Sequence, residues 1–165
     1  MTLNQQLNLI NTKYQSGFTL FELMIVIAIM GILAAVTASI IPTIGRGKEL
    51  EADRDKIVAY LRYARQKSVS QEEGKQWGAR FDNSNSALPN FKLFHTPPYS
   101  AANVRETIFL SDKVQFNDPS SGNTKDIIFA KITGTTAAAS VTVALRNTGQ
   151  QKTVSVNTQG AITSD

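Results

Sequence analysis

The chain of 165 residues contains no cysteine, a single histidine and a single tryptophan. Without cysteine there is no disulfide to stabilise a fold, no catalytic thiol and no thiolate metal site, so the chain depends on its own packing. With His95 alone, neither an imidazole metal cluster nor a Ser-His-Asp triad can be built. Gly45-Arg46-Gly47 has no preceding strand and no third glycine, so it carries no nucleotide-binding weight. Asn117, Asp118, Asn123 and Asp126 offer oxygen ligands but not the EF-hand spacing, and read as a polar turn. No catalytic, cofactor-binding or metal-ligating residue is predicted, and the chain is not expected to be an enzyme. The net charge of +4 is too weak a basic excess to imply nucleic acid.

Charge is also missing locally. Leu23–Ile41 holds no ionisable side chain, although the chain as a whole is 18% charged. A water-soluble helix of that length would show a polar face, and none is present here. An uncharged run of about 20 residues matches the ~30 Å hydrocarbon layer when helical. The preceding segment, Met1–Gly17, is rich in Asn and Gln and lacks the apolar centre of a secretory signal peptide. Lys13 lies before the run and Arg46, Lys48 and Arg54 after it, so flanking charge does not set an orientation.

Glu22 is the one charge within Phe18–Ile41. An intramembrane carboxylate is costly unless it is paired. Cleavage between Gly17 and Phe18 would create a partner, the new α-amino group of Phe18. In one chain the two groups are a helical turn apart; between staggered neighbours the amine of one copy can meet Glu22 of the next.

Gly17-Phe18-Thr19-Leu20-Phe21-Glu22 followed by the long apolar run resembles the leader junction of type IV prepilins and type II secretion pseudopilins. The resemblance implies a prepilin peptidase that cuts after Gly17 and methylates Phe18, with Glu22 guiding filament assembly. It also implies further pilin or pseudopilin subunits as partners, together with an inner-membrane assembly platform and its ATPase. The location implied is the bacterial inner membrane, spanned once, and then a periplasmic or extracellular filament. A plain single-pass anchor and a DNA-uptake minor pilin are the alternatives; the latter finds little support in a C-terminal region whose only basic residues are Arg146 and Lys152. Pro42 falls later than the helix-bending proline of that family, and a bend or local melting is expected across Ile41–Gly47.

Beyond Gly47 the pattern is that of a soluble domain. Lys48–Ser70 has helical periodicity, with Ile57, Leu61 and Ala64 on one face and Val58 and Tyr60 beside them. Its acidic start and basic end suit the helix dipole and read as a solvated face, with Glu51–Arg54 and Asp53–Lys56 pairs. After Gly74 the period becomes two: Trp77, Ala79 and Phe81 alternate with Gly78, Arg80 and Asp82, and Phe91, Leu93 and His95 with Lys92 and Phe94. Further strands are expected at 106–110, 113–116, 126–132, 140–146, 152–157 and 161–163. The expected fold is α+β: a long N-terminal helix, membrane-spanning in its first half, packed on a C-terminal antiparallel sheet. The expected division is a leader at 1–17, an apolar helix at 18–47 and a globular domain at 48–165. The Leu61–Ser68 segment, the strand around Gly78–Phe81 and the closing Thr153–Asn157 before Gly160 more loosely resemble GspH/FimT-like minor pseudopilins.

Overall fold

The computed structural model describes residues 17–165, with side chains described for 17–35 and 47–165. The expected leader, 1–17, therefore lies outside the described residues except for Gly17. Among the described residues one α-helix, α1 (Leu20–Val69), is followed by eight strands: β1 (Trp77–Asp82), β2 (Asn90–His95), β3 (Val104–Phe109), β4 (Val114–Asp118), β5 (Thr124–Phe129), β6 (Ala139–Leu145), β7 (Gln151–Val156) and β8 (Ile162–Ser164). By contacts the chain divides between Ile40 and Ile41.

The helical backbone of α1 is continuous through Pro42, so the expected local melting does not occur. Proline removes one helical hydrogen bond and already holds a helical φ, so the helix can continue past it. α1 ends after Val69, where Gln71 and Glu73 adopt left-handed φ of 52° and 56°.

The eight strands form two antiparallel sheets, in the orders β3-β2-β1-β5 and β4-β6-β7-β8, where the sequence led us to expect one sheet. Alternation identifies an inner face but not which strands share it. Ile57, Leu61 and Ala64 of α1 are fully buried, and they form one core with Trp77, Ala79 and Phe81 of β1, Phe91 and Leu93 of β2, Ile127 and Phe129 of β5, and Val141, Val143, Val154 and Val156 of the second sheet. Phe81 meets Phe116 of β4 edge to face, with centroids 5.9 Å apart. Asn83, also buried, donates from its side-chain amide to the backbone oxygens of Phe116 and Pro119, at 3.3 and 2.8 Å, where the first sheet passes to the second.

Three local expectations are corrected. Phe94 is buried rather than outward-facing: a pairing irregularity between Leu93 and Phe94 accompanies its packing on Tyr99, with centroids 5.3 Å apart. The charged face of α1 is not uniformly solvated, since Asp53 and Lys67 are buried. Asp53 accepts hydrogen bonds from Lys56 Nζ and from the Ser111 backbone N–H, both at 2.8 Å, which ties α1 to the β3–β4 turn. Lys67 pairs with Glu72 and lies over the rings of Tyr63 and Trp77, at 4.6 and 4.8 Å, so its stem is covered while its charge is balanced. Lastly, Arg54 pairs with Asp55 rather than Glu51, at 2.9 Å, and donates to the backbone oxygen of Asp165.

Candidate functional site

The site predicted from sequence begins at Gly17. Gly17, Phe18 and Thr19 precede the helix, so the predicted scissile bond lies in non-helical backbone. A Cβ on Gly17 would meet nothing within 4 Å among the described residues.

Thr19 has a role that the sequence reading missed. Its Oγ1 accepts a hydrogen bond from the Glu22 backbone N–H at 3.1 Å, and its carbonyl accepts from Leu23 N–H, also at 3.1 Å. Thr19 is therefore the N-cap of α1, satisfying one of the donors that a helix start leaves unpaired. The signal was present as Thr-x-x-Glu, the spacing of a capping box. Glu22 also places a negative charge in the first turn, where the helix dipole favours it.

From Phe18 to Leu33 the apolar side chains are exposed, from 43% at Ile25 to 81% at Phe18. Exposure extends around the whole helix, as expected for side chains that contact surfaces outside this chain. Among the described residues no helix is long and apolar enough to cross a membrane. The described side chains of the predicted span stop at Ala35, and 36–41 lie outside them.

The remaining candidates fall elsewhere. Asp126 forms a two-pronged pair with Arg80 (2.6 and 2.8 Å), Asp118 pairs with Lys125, Asn117 donates to Gln151 and Asn123 to Ser120. Among the described residues no three acidic or histidine side chains converge on a metal-sized site. His95 sits at the end of β2, edge-on to Trp77 at 5.3 Å.

A helix with an exposed apolar first half, followed by a core built on its second half and antiparallel strands, defines the pilin-like α+β class. Residues 12–38 match the family described as the prokaryotic N-terminal methylation motif. The fold is similar to the crystal structure of the type IV minor pilin FimU of Pseudomonas aeruginosa, at 14% identity and a TM-score of 0.51, over 70% of this chain and 92% of that one. It is likewise similar to the minor pseudopilin EpsH of the Vibrio cholerae Type 2 Secretion System, at 11% identity and a TM-score of 0.51, over 71% of this chain and 96% of that one. No curated protein significantly matches the chain. The motif match is confined to residues 12–38, and the two solved structures share the pilin-like fold with this chain.

Proposed function

We propose that this chain is the precursor of a filament subunit, in a type IV pilus or a type II secretion pseudopilus. It is cut between Gly17 and Phe18, methylated on the new Phe18 amine, and drawn from the inner membrane into a filament whose core is built from α1 helices. The observation that carries this reading is the exposure of every large apolar side chain from Phe18 to Leu33. At roughly 25 cal/mol per Å² of apolar surface, such a helix is stable only when something else covers it. Lipid covers it first, and other α1 helices cover it in the filament. The uncharged sequence through Ile41 gives the run the length of a single span. The assembly platform and its ATPase supply the work of extraction, since the chain has no P-loop of its own.

Glu22 receives the Phe18 amine of a neighbouring subunit and so sets the stagger between helices. The test is Glu22→Leu, scored as sheared-filament yield at matched levels of processed protein. The Thr19 cap bonds the backbone N–H of residue 22, which leucine retains, so this variant removes the carboxylate without uncapping the helix. Insertion and cleavage are expected to persist while assembly fails. Wild-type yield would refute the pairing role of Glu22.

A further inference from the structure

The last turns of α1 border a groove that the filament reading does not use. Its volume is about 470 Å³, and Arg62, Arg65, Gln66, Val69, Ala161 and Ile162 line it. The four helical residues recur at i, i+3, i+4 and i+7, so they form one stripe of α1. The wall across from them is the turn into β8. No acidic side chain lines the groove.

The two guanidiniums are set up differently. Arg65 is held in place. Its Nε donates to the Gly134 carbonyl and its Nη2 to the Gln159 carbonyl, both at 3.4 Å, which leaves Nη1 without a partner among the described residues. Two missing side chains make room for it. A Cβ on Gly134 would lie 3.1 Å from Arg65 Nε and 2.7 Å from Val69 Cγ2, and one on Gly160 would lie 2.7 Å from Arg65 Nε. Arg62, one turn earlier, is exposed, and its side chain makes no hydrogen bond or ion pair among the described residues. A fixed guanidinium beside a free one suits the two oxygens of a carboxylate. The end of α1 opposes an anion less than a bare helix end does, because the carbonyls of Gln66, Lys67 and Ser68 are already bonded, to the Ser70 N–H, the Ser70 hydroxyl, and the Gln71 and Ile132 N–H groups.

We propose that this groove binds the C-terminal residue of a peptide from another protein. The carboxylate bridges Arg62 and Arg65, and an apolar last side chain lies on Val69, Ala161 and Ile162. Spacing favours a chain end over an internal acidic residue. Arg65 and Val69 are one turn apart, about 6 Å along the axis. A terminal residue carries its carboxylate and its side chain on one Cα and presents both within that span. Asp and Glu use the side chain for the charge and have no apolar group left. The groove is open to solvent, so the rest of the peptide continues out of it. Nucleic acid fits less well, since Asn157–Asp165 holds no Lys or Arg and the wall facing the arginines is apolar. The site uses neither Phe18, Glu22 nor the apolar half of α1, so it stands or falls apart from the filament reading.

The test is isothermal titration calorimetry at low salt on the full-length chain in detergent micelles. The probe is the acetylated tetrapeptide Gly-Gly-Ser-Leu with a free C-terminus. A single saturable site is expected. A C-terminal amide, a glycine in place of the last leucine, and Arg62→Gln in the protein should each weaken binding roughly tenfold or more. Because Arg62 is exposed and unpartnered, Arg62→Gln should melt like the parent, so its loss of binding is not a loss of fold. Val69→Ser should narrow the gap between the leucine-ended and glycine-ended peptides. No saturable binding at millimolar peptide, equal binding of acid and amide, or parent-like binding by Arg62→Gln would overturn the site. Displacement of the peptide by a short oligothymidylate at similar concentration would replace it with a general anion surface. Acetyl-leucine that binds as tightly as the tetrapeptide would overturn the assignment to a peptide end.

Discussion

Gly160 is the position where a single added carbon should do the most damage. Its φ is +73°, and a Cβ built there would lie 2.0 Å from the Gly134 carbonyl oxygen and 2.7 Å from Arg65 Nε. Two penalties follow for Gly160→Ala. The left-handed backbone costs a side-chain-bearing residue about 1–2 kcal/mol. Relieving the clash requires the 130–134 loop or the turn before β8 to shift, and overpacking of this kind costs about 1–3 kcal/mol. Gly149→Ala is the matched control, since Gly149 has a φ of +71° and nothing within 4 Å of the added carbon. It should show the backbone penalty alone. Thermal melts followed by circular dichroism, on a soluble chain beginning at Lys48, give the difference. With about 4–8 °C per kcal/mol for a domain of about 100 residues, Gly160→Ala should melt on the order of 10 °C or more below the parent, and Gly149→Ala only several degrees below. Equal losses in the two variants would refute the close approach of Gly160 to Gly134.

Further outcomes are expected. The chain from Lys48 onward should be soluble and folded without the apolar helix, because its core is drawn from residues after that point; an insoluble or unfolded product would contradict the division. Ser68→Ala should cost about 1–3 kcal/mol in urea unfolding, since the Ser68 hydroxyl accepts from the buried Trp77 N–H at 2.8 Å and alanine leaves that donor unpaired. Burial alone would push the Asp82 carboxyl up, but hydrogen bonds from Lys92 and from the Ser84 side chain and backbone outweigh it and hold the pKa at about 2. Because the folded value is the lower one, Asp82 stabilises the domain fully above about pH 4 and loses that effect as the pH falls toward 2; Lys92→Met should move acid unfolding to higher pH.

Much of this organisation was legible in the sequence, for identifiable reasons. The Ile57/Leu61/Ala64 stripe and the Trp77/Ala79/Phe81 alternation report burial directly, because helix and strand periods place alternate residues on opposite faces. The N-terminal motif was legible because its residue types occur together at a fixed spacing. The division into two sheets was not, since pairing between β4 and β6 or β1 and β5 depends on contacts distant in sequence. Asp53 and Lys67 looked like solvent charges because burial depends on partners supplied by the β3–β4 turn and by Trp77. The expected strand at 126–132 ends early, at Phe129, and the Ile132 N–H instead bonds the Ser68 carbonyl near the end of α1, a contact that no local residue pattern announces.

The central claim, that the chain is a filament precursor with a cleaved and methylated N-terminus, is tested most directly by the mass and N-terminal fragment ions of the protein recovered from membranes of cells that express a prepilin peptidase. The account predicts a chain that begins at Phe18 and carries one methyl group on its α-amine, with Gly17→Val leaving the chain uncut. A chain that keeps Met1–Gly17 in the presence of active peptidase, or that begins at any residue other than Phe18, would contradict it.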